Sequence, residues 1–305
     1  MENRFSVAAG LARTTPGIFD YGLFAVVVLT LGISWIAVHY QVGSIAPEIS
    51  VIWRFVIAVP VTLLIAICRR ERLVFSPRQH AYIALFGGTF FCAYFLVSIY
   101  AAALISSGLI AVVMSLVSIL NAGLGVLFLN LPLDRRVLGG GALGAAGLAC
   151  IFAPEILGGV GSNAIAGLGL SLLGMGFFST GTIVSARMQR EGVTILAANA
   201  IGMIYGGIGL GVFAIFRGIK FNIDWSTDYI LSLLYLALMI SVVTSLCFLN
   251  LVRRIGPARA AYALVVSPVV ALIVSSVYEG YAVTPFSAFG TALIVFGNII
   301  VLRPG

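Results

Sequence analysis

The residues best suited to chemistry in this chain are the few ionisable side chains inside long apolar stretches. Arg54 stands within the apolar stretch 47–68. A guanidinium group binds a carboxylate through two parallel hydrogen bonds, so Arg54 is a candidate clamp for an anionic group. The structural alternatives are an internal ion pair, for example with Glu48, and extension of the side chain toward water. His39 ends the preceding stretch, where it could titrate near neutral pH, contact a ligand or simply face the interface.

The remaining ionisable and thiol groups form no catalytic or metal-binding pattern. The two histidines, His39 and His80, fall near the ends of apolar stretches, and the four cysteines lie in separate stretches without metal-site spacing. No Asp or Glu lies near the middle of a stretch, which disfavours an intramembrane enzyme, a proton pump and an exporter of cationic drugs. We therefore predict no catalytic residue, no metal and no cofactor. Proton coupling through His39 or through the substrate itself stays open.

Small hydroxyl and aromatic side chains recur at the middle depth of the apolar stretches. A cavity lined by such groups suits a neutral, partly apolar ligand such as a zwitterionic amino acid. Each residue could equally serve packing, because hydroxyls bond the carbonyls of their own helix and aromatic rings fill space. The candidate cavity residues, with Tyr94, Ser118 and Ser245 as the leading ones, are Ser34, His39, Arg54, Phe91, Tyr94, Ser115, Ser118, Phe177, Ser179, Tyr205, Thr244, Ser245 and Ser267.

A proline also lies in the middle of the stretch 258–279, at position 268. A proline inside a helix leaves a carbonyl without its N–H partner and kinks the helix axis. Pro268 is therefore a candidate flexing point, and a static kink that suits packing is the alternative.

Membrane-spanning helices must position these residues. Of the 305 residues, 61% are hydrophobic and 9% charged, and the mean hydropathy is +1.15. This surplus of apolar side chains exceeds what a water-soluble core can bury. The apolar runs are continuous, which predicts an all-α integral membrane protein whose first helix is retained, because no signal peptide precedes it. The ten predicted spans are 18–40, 47–68, 80–103, 105–128, 136–153, 164–187, 194–216, 228–251, 258–279 and 284–302.

The basic residues predict the orientation of these spans. Of 17 Lys and Arg residues, 14 fall in the loops and tails on the N-terminal side of the membrane, two (Arg217 and Lys220) on the other side, and Arg54 within a span. Cytoplasmic loops carry such an excess, so both termini are predicted to be cytoplasmic. The same distribution accounts for the net charge of +7 without a nucleic-acid partner.

An internal repeat divides the chain into two halves. Residues 140–147 read GGALGAAG and residues 290–297 read GTALIVFG, an offset of 150 residues. Five spans per half is an odd number, so the second half enters the membrane in the opposite sense. We predict an inverted repeat with five helices in residues 1–155 and five in residues 156–305, although chance similarity of two Gly/Ala-rich helices is the alternative.

On these features the chain resembles the drug/metabolite transporter superfamily in its ten-helix form with the EamA-type repeat. The resemblance covers nearly the whole chain. It is carried by residues 253–260 (RRIGPARA), Ser267-Pro268, Glu279-Gly280 and residues 290–297 in the second half, and by residues 32–39 (GISWIAVH) and Arg54-Phe55 in the first. The chain departs from the pattern at His39, where many relatives have Lys. It also departs at Ser118 and Leu129, the counterparts of Pro268 and Glu279.

The resemblance implies a fold and a function. The third, fourth, eighth and ninth helices, with parts of the first and sixth, would enclose a central cavity. The chain is most similar to the bacterial aromatic amino-acid exporter branch, which implies an inner-membrane exporter of neutral or aromatic amino acids or related metabolites. Alternating access by facilitated diffusion or exchange is expected, and a proton-coupled exporter of drugs or other metabolites is the alternative. The expected partners are a small-molecule substrate and the lipid bilayer, and a monomer would suffice because one chain holds both halves.

Overall fold

Long helices make up the described part of the chain. The computed structural model describes residues 16–41, 45–102, 104, 113, 117–151, 164–278 and 285–302, and these residues contain no β-strand. The helices are α1 (Ile18–His39), α2 (Pro47–Cys68), α3 (Pro77–Phe86, Gly87–Ala93 and Tyr94–Ala102), α4 (Val117–Leu129), α5 (Arg135–Ile151), α6 (Ala164–Arg190), α7 (Ile195–Phe216), α8 (Thr227–Tyr235, Leu236–Thr244 and Ser245–Ile255), α9 (Pro257–Tyr278) and α10 (Pro285–Leu302).

Five of these helices, α2, α3, α6, α7 and α8, are long and apolar enough to cross a bilayer. The other apolar helices are shorter where they are described. Large apolar side chains such as Ile165 and Phe216 remain exposed, which suits a surface in contact with lipid. The chain is therefore a multi-pass, all-helical membrane protein. The count of ten spans, the side of the termini and the boundary at residue 155 stay predictions.

The two glycine motifs that defined the sequence repeat pack directly on each other. A methyl group added at Gly147 would lie 2.5 Å from the carbonyl oxygen of Gly290, and one added at Gly297 would lie 2.7 Å from that of Gly140. The backbones of α5 and α10 are therefore in contact, which only residues without a side chain permit. The start of each motif meets the end of the other, so the helices are antiparallel, as an inverted repeat requires.

Helices α3 and α8, the third of each predicted half, are both interrupted by a π-helical segment. The segments are Gly87–Ala93 and Leu236–Thr244, and their first and last residues are 149 and 151 positions apart. In α8 the hydroxyls of Ser241 and Thr244 donate to carbonyls five residues earlier, at 3.3 and 2.7 Å. π-Helical segments are frequent at functional sites because they widen a helix and turn its side chains. Continuous apolar sequence gave no sign of them.

Candidate functional site

Arg54 lies buried in α2, with 7% of its surface exposed. Its guanidinium carbon is 5.5 Å from the centroid of the Phe95 ring, and its Nε has no hydrogen-bond partner. Glu48, the alternative partner considered from sequence, instead accepts a hydrogen bond from the Tyr100 hydroxyl at 3.3 Å. Arg54 takes part in none of the ion pairs between described residues. The internal ion pair with Glu48 is therefore not observed.

Aromatic rings from four helices meet next to this guanidinium. Phe95 of α3 lies 6.2 Å from Phe55 of α2 and 5.3 Å from Tyr94, measured between ring centroids. Tyr94 in turn lies 5.1 Å from Phe178 of α6, which is 5.6 Å from Phe248 of α8. We call the set formed by Phe55, Phe86, Phe90, Phe91, Tyr94, Phe95, Phe178 and Phe248 the aromatic cluster.

The combination of a buried guanidinium and an aromatic cluster defines what the site can bind. Ring faces attract a cation, but each such contact contributes only about 0.5–2 kcal/mol. This is less than the free energy of hydration that a buried guanidinium loses. An anionic group would satisfy the free Nε through charge-assisted hydrogen bonds. The cluster would accept an apolar or aromatic body attached to that anion.

The structure places two of the predicted site residues in the aromatic cluster beside Arg54. Phe91 and Tyr94 belong to the aromatic cluster. On α6, however, Phe178 supplies the ring contacts, and the neighbouring Phe177 is half-buried and makes none of them. Ser179 is fully buried and its Oγ has no hydrogen-bond partner. Adjacent residues of a helix point about 100° apart, so only one of Phe177 and Phe178 can face the cluster.

Ser118, a leading candidate from sequence, faces a different interface. It is fully buried, and its Oγ lies 2.9 Å from where a methyl group on Gly141 would stand. Ser118 therefore sits between α4 and α5, and it makes no described contact with the aromatic cluster. Its Oγ has no hydrogen-bond partner, so it differs from the hydroxyls that bond their own helix.

Two other predicted residues link helices through hydrogen bonds near the π-helical segment of α8. The hydroxyls of Thr244 and Thr30 are 2.6 Å apart and join α8 to α1. Ser245 accepts a hydrogen bond from Nδ2 of Asn199 at 2.9 Å, which joins α8 to α7. Thr30 and Asn199 were not among the site residues predicted from sequence. A polar residue within an apolar helix can indicate a hydrogen bond to a neighbouring helix, so both could have been found in this way.

Tyr205 on α7 pairs with His80, which the sequence places near the end of an apolar stretch. The Tyr205 hydroxyl lies 3.1 Å from Nδ1 of His80, at the start of α3. This contact joins α3 of the first half to α7 of the second. No hydrogen bond or ring contact described in the structure joins either residue to Arg54 or to Phe95.

The Ser267 hydroxyl in α9 makes the hydrogen bond that the backbone of Pro268 cannot make. Pro268 has no N–H to donate to the carbonyl of Leu264, four residues earlier, and the Ser267 hydroxyl donates to that carbonyl at 3.2 Å. The helix continues through both residues. A methyl group on Gly32 of α1 would lie 3.2 Å from the Ser267 carbonyl oxygen, so α1 packs closely at this point. These contacts fit a stabilised kink, and a flexing role for Pro268 stays a prediction.

Three predicted site residues remain: Ser34, His39 and Ser115. The Ser34 hydroxyl donates to the Leu31 carbonyl of its own helix at 2.7 Å, so in this structure it serves the backbone. His39 is the last residue of α1, and its side chain lies outside the described part of the structure, as does Ser115.

Ion pairs join the two predicted halves at the end of the bundle that carries most of the arginines. Arg254 of α8 pairs with Asp20 of α1, whose side chain is buried. Nη2 of Arg259 in α9 lies 2.5 Å from Oδ2 of Asp134, which precedes α5. Opening of a path toward this end would require such contacts to part.

Replacement of Asp134 by asparagine should weaken this junction slightly. Burial raises the pKa of Asp134, but hydrogen bonds from Arg259 and the Arg136 N–H outweigh that effect and hold it below the ordinary 3.8. The ionised Asp134 therefore makes its full contribution to the free energy of unfolding above the unfolded-state pKa. That contribution is lost as pH falls through the lower folded-state pKa. We expect Asp134→Asn to lower the free energy of unfolding by about 0.5–1 kcal/mol at neutral pH.

Thermal unfolding of wild type and Asp134→Asn between pH 5 and 8 checks this expectation. The difference in stability between wild type and Asp134→Asn should be constant from pH 5 to pH 8, because Asp134 is ionised in both folded and unfolded chains throughout this range. A difference that changed between pH 5 and 8 would contradict the lowered pKa.

Taken together, the helical bundle and its antiparallel glycine crossing define a multi-pass membrane protein with the organisation expected of two inverted halves. Residues 19–153 and 165–303 each match the EamA-like transporter family. The chain belongs to this family and is a membrane transporter of small metabolites, within the superfamily indicated by the sequence resemblance.

Individual relatives agree with this assignment. The chain is 25% identical to Protein PagO of Salmonella typhimurium over 281 residues, which cover 92% of this chain and 91% of PagO. It is 26% identical to the uncharacterized inner membrane transporter YedA of Escherichia coli K12 over 197 residues, 65% of this chain and 62% of YedA. One solved crystal structure has the same fold, with a TM-score of 0.77 at 16% identity over 92% of this chain and 95% of its own.

Proposed function

We propose that this transporter exports neutral or aromatic amino acids, or closely related carboxylate-bearing metabolites, across the bacterial inner membrane. The observation that carries the proposal is the buried guanidinium of Arg54, which forms no ion pair with a described residue and lies against the aromatic cluster. A carboxylate would pair with the guanidinium while an apolar side chain packed on the rings. The likeness to YedA supports the inner-membrane location, and the arginine distribution supports cytoplasmic termini.

Alternating access by facilitated diffusion or exchange is the mechanism that we propose. Two antiparallel halves can expose one central site to each side in turn. Among the described residues, the buried carboxylates Asp20 and Glu48 lie in the first turns of α1 and α2, far from the middle of a span. A proton-coupled exporter of drugs or other metabolites is the alternative, and it would couple protons through His39 or through the substrate itself instead of a central carboxylate.

Flux into proteoliposomes tests the substrate and the coupling together. Purified protein would be reconstituted and labelled phenylalanine compared with phenylalaninamide, which lacks the carboxylate, and with alanine, which lacks the ring. We expect the largest saturable flux for phenylalanine, because only phenylalanine satisfies both the guanidinium and the aromatic cluster. Alanine and phenylalaninamide, which each lack one of the two groups, should both be transported more slowly.

An imposed pH gradient separates the two mechanisms. Phenylalanine flux that is unchanged by the gradient supports facilitated diffusion or exchange. Accumulation that follows the gradient would favour the proton-coupled alternative. Flux of the amide equal to that of phenylalanine would remove the carboxylate from the proposal.

A further inference from the structure

The chain between α8 and α9 carries the motif RRIGPAR, residues 253–259, which we call the α8–α9 turn. Helix α8 ends at Ile255 and α9 begins at Pro257, so Gly256 is the single residue between them. Its φ of +88° and ψ of 159° define a backbone conformation that glycine adopts freely and that strains other residues. The ends of the two helices are therefore coupled through one glycine.

The α8 side of this turn is attached to α1. Arg254 forms an ion pair with Asp20, which has 1% of its surface exposed. The guanidinium carbon of Arg254 also lies 5.0 Å from the centroid of the Phe19 ring, the residue before Asp20. A buried carboxylate that loses its cation is costly, so this contact resists separation.

The α9 side of the turn is attached to two more elements of the first predicted half. The Pro257 carbonyl oxygen accepts a hydrogen bond of 3.2 Å from Nδ2 of Asn121 in α4, and Asn121 is fully buried. Nη2 of Arg259 lies 2.5 Å from Oδ2 of Asp134, immediately before α5. Because the turn belongs to the second predicted half, all three attachments cross from one half to the other.

The counterpart of this turn in the first half has no charged side chain. The repeat offset of 150 residues relates residues 253–259 to residues 103–109, which read ALISSGL. In an inverted repeat the counterpart belongs to the opposite side of the membrane. That segment can supply no ion pair of its own, whereas the α8–α9 turn supplies two. The ion pairs of the α8–α9 turn therefore stabilise closure specifically at the arginine-rich end.

We propose that the α8–α9 turn is a latch that closes the central site toward the cytoplasm, and that it must part from α1, α4 and Asp134 before substrate can enter. This role rests on the alternating-access mechanism proposed above. Arg254 and Arg259 stabilise the closed arrangement and lose their partners when it opens. Removal of either guanidinium therefore raises the population that is open to the cytoplasm.

Access of a thiol reagent to the contact between α4 and the turn tests the proposal. A Cβ at Gly125 of α4 would lie 3.4 Å from Cδ1 of Leu131 and 4.0 Å from Cγ of Pro257, which are ordinary contact distances. Gly125→Cys, in a chain whose native cysteines are replaced by alanine, is labelled with a membrane-impermeant maleimide in inverted vesicles. We expect Arg254→Gln and Arg259→Gln each to raise the labelling rate about two- to five-fold, the effect of losing one partly exposed ion pair.

The neighbouring arginine of the same turn is the matched control. Arg253 is exposed and donates to Oδ1 of Asn250 on its own helix at 3.3 Å, so Arg253→Gln should label at the wild-type rate. Equal acceleration by Arg253→Gln and Arg254→Gln would show that only the net charge of the turn matters. Unchanged labelling in both Arg254→Gln and Arg259→Gln would show that neither ion pair holds the turn closed. Either result would overturn the latch.

A reversible cross-link tests whether the contact must part during transport. Asp20→Cys and Arg254→Cys would be joined by a short reagent that contains a disulfide, and phenylalanine flux followed before and after reduction. We expect flux to fall to the level of empty liposomes and to return on reduction. The control pair, Arg135→Cys and Gly139→Cys, lies one turn apart on exposed positions of α5 at the same end of the bundle, and its cross-link should leave flux unchanged.

The two measurements separate failure of the latch from failure of the proposed substrate. Undiminished flux through the cross-linked Asp20→Cys/Arg254→Cys protein would overturn the latch and leave the substrate class in place. Absence of phenylalanine flux in the wild type would instead remove the proposed substrate. The labelling rates of Gly125→Cys need no substrate and would still decide whether the latch exists.

Discussion

Replacement of Arg54 by glutamine is expected to lower phenylalanine flux by about 10- to 100-fold, the contribution of hydrogen bonds between a charged donor and a carboxylate. The same replacement should leave thermal stability unchanged or raise it, because it removes a buried charge that no ion pair with a described residue compensates. Flux of phenylalaninamide, which has no carboxylate, should be nearly insensitive to the substitution. Flux into proteoliposomes and thermal unfolding in detergent provide the two measurements.

The paired measurements separate a ligand-binding arginine from a structural one. Arg54→Lys is the matched variant: it keeps the charge but loses the two-pronged geometry, so we expect an intermediate flux. If Arg54→Gln lowered flux and unfolding temperature together, Arg54 would be a structural anchor. Wild-type flux in Arg54→Gln would place the substrate carboxylate elsewhere, and the proposed substrate class would then lose its main support.

Introduction of a methyl group at Gly147 is expected to destabilise the protein by about 3 kcal/mol or more, at the upper end of the cost of overpacking. The new Cβ would meet the Gly290 carbonyl oxygen at 2.5 Å, and backbone atoms of α10 cannot rotate away as a side chain can. Gly147→Ala should therefore lower the unfolding temperature markedly or reduce the yield of folded protein. Thermal unfolding combined with size-exclusion chromatography measures both effects.

The same helix supplies the control for this variant. A methyl group at Gly139 would meet no atom within 4 Å. Gly139→Ala should be neutral or stabilising by up to about 1 kcal/mol, because alanine is the better helix former. Equal behaviour of Gly139→Ala and Gly147→Ala would mean that α5 and α10 are not in backbone contact, and the antiparallel crossing would then lose its support.

The aromatic cluster shows why a candidate site was only partly predictable. Sequence reasoning selected Phe91 and Tyr94 but preferred Phe177 to Phe178, and it placed Ser118 in the cavity. In a water-soluble helix the apolar stripe marks the buried face. Helices in lipid are apolar all round, so hydrophobic pattern does not reveal which face points inward. Neighbouring residues such as Phe177 and Phe178 then cannot be distinguished without the packing of other helices.

The sequence by itself determined the class of molecule and the helical nature of its spans. Apolar stretches about 20 residues long specify helices in a bilayer, since every backbone polar group must be bonded within its own segment. The glycine motifs at residues 140–147 and 290–297 predicted two related halves, because a repeated pattern of residues is visible in the sequence. The arginine distribution predicted an orientation. Each of these features depends on residues that are local in the chain.

Only the tertiary structure decided what the polar groups do. It left Arg54 without an ion pair to any described residue and set Ser118 against Gly141. It also used Ser267 to satisfy the carbonyl freed by Pro268 and placed π-helical segments in α3 and α8. Each outcome depends on which atoms of distant helices come within hydrogen-bonding or contact distance. Those distances arise from the packing of whole helices, so no local pattern of residue types contains them.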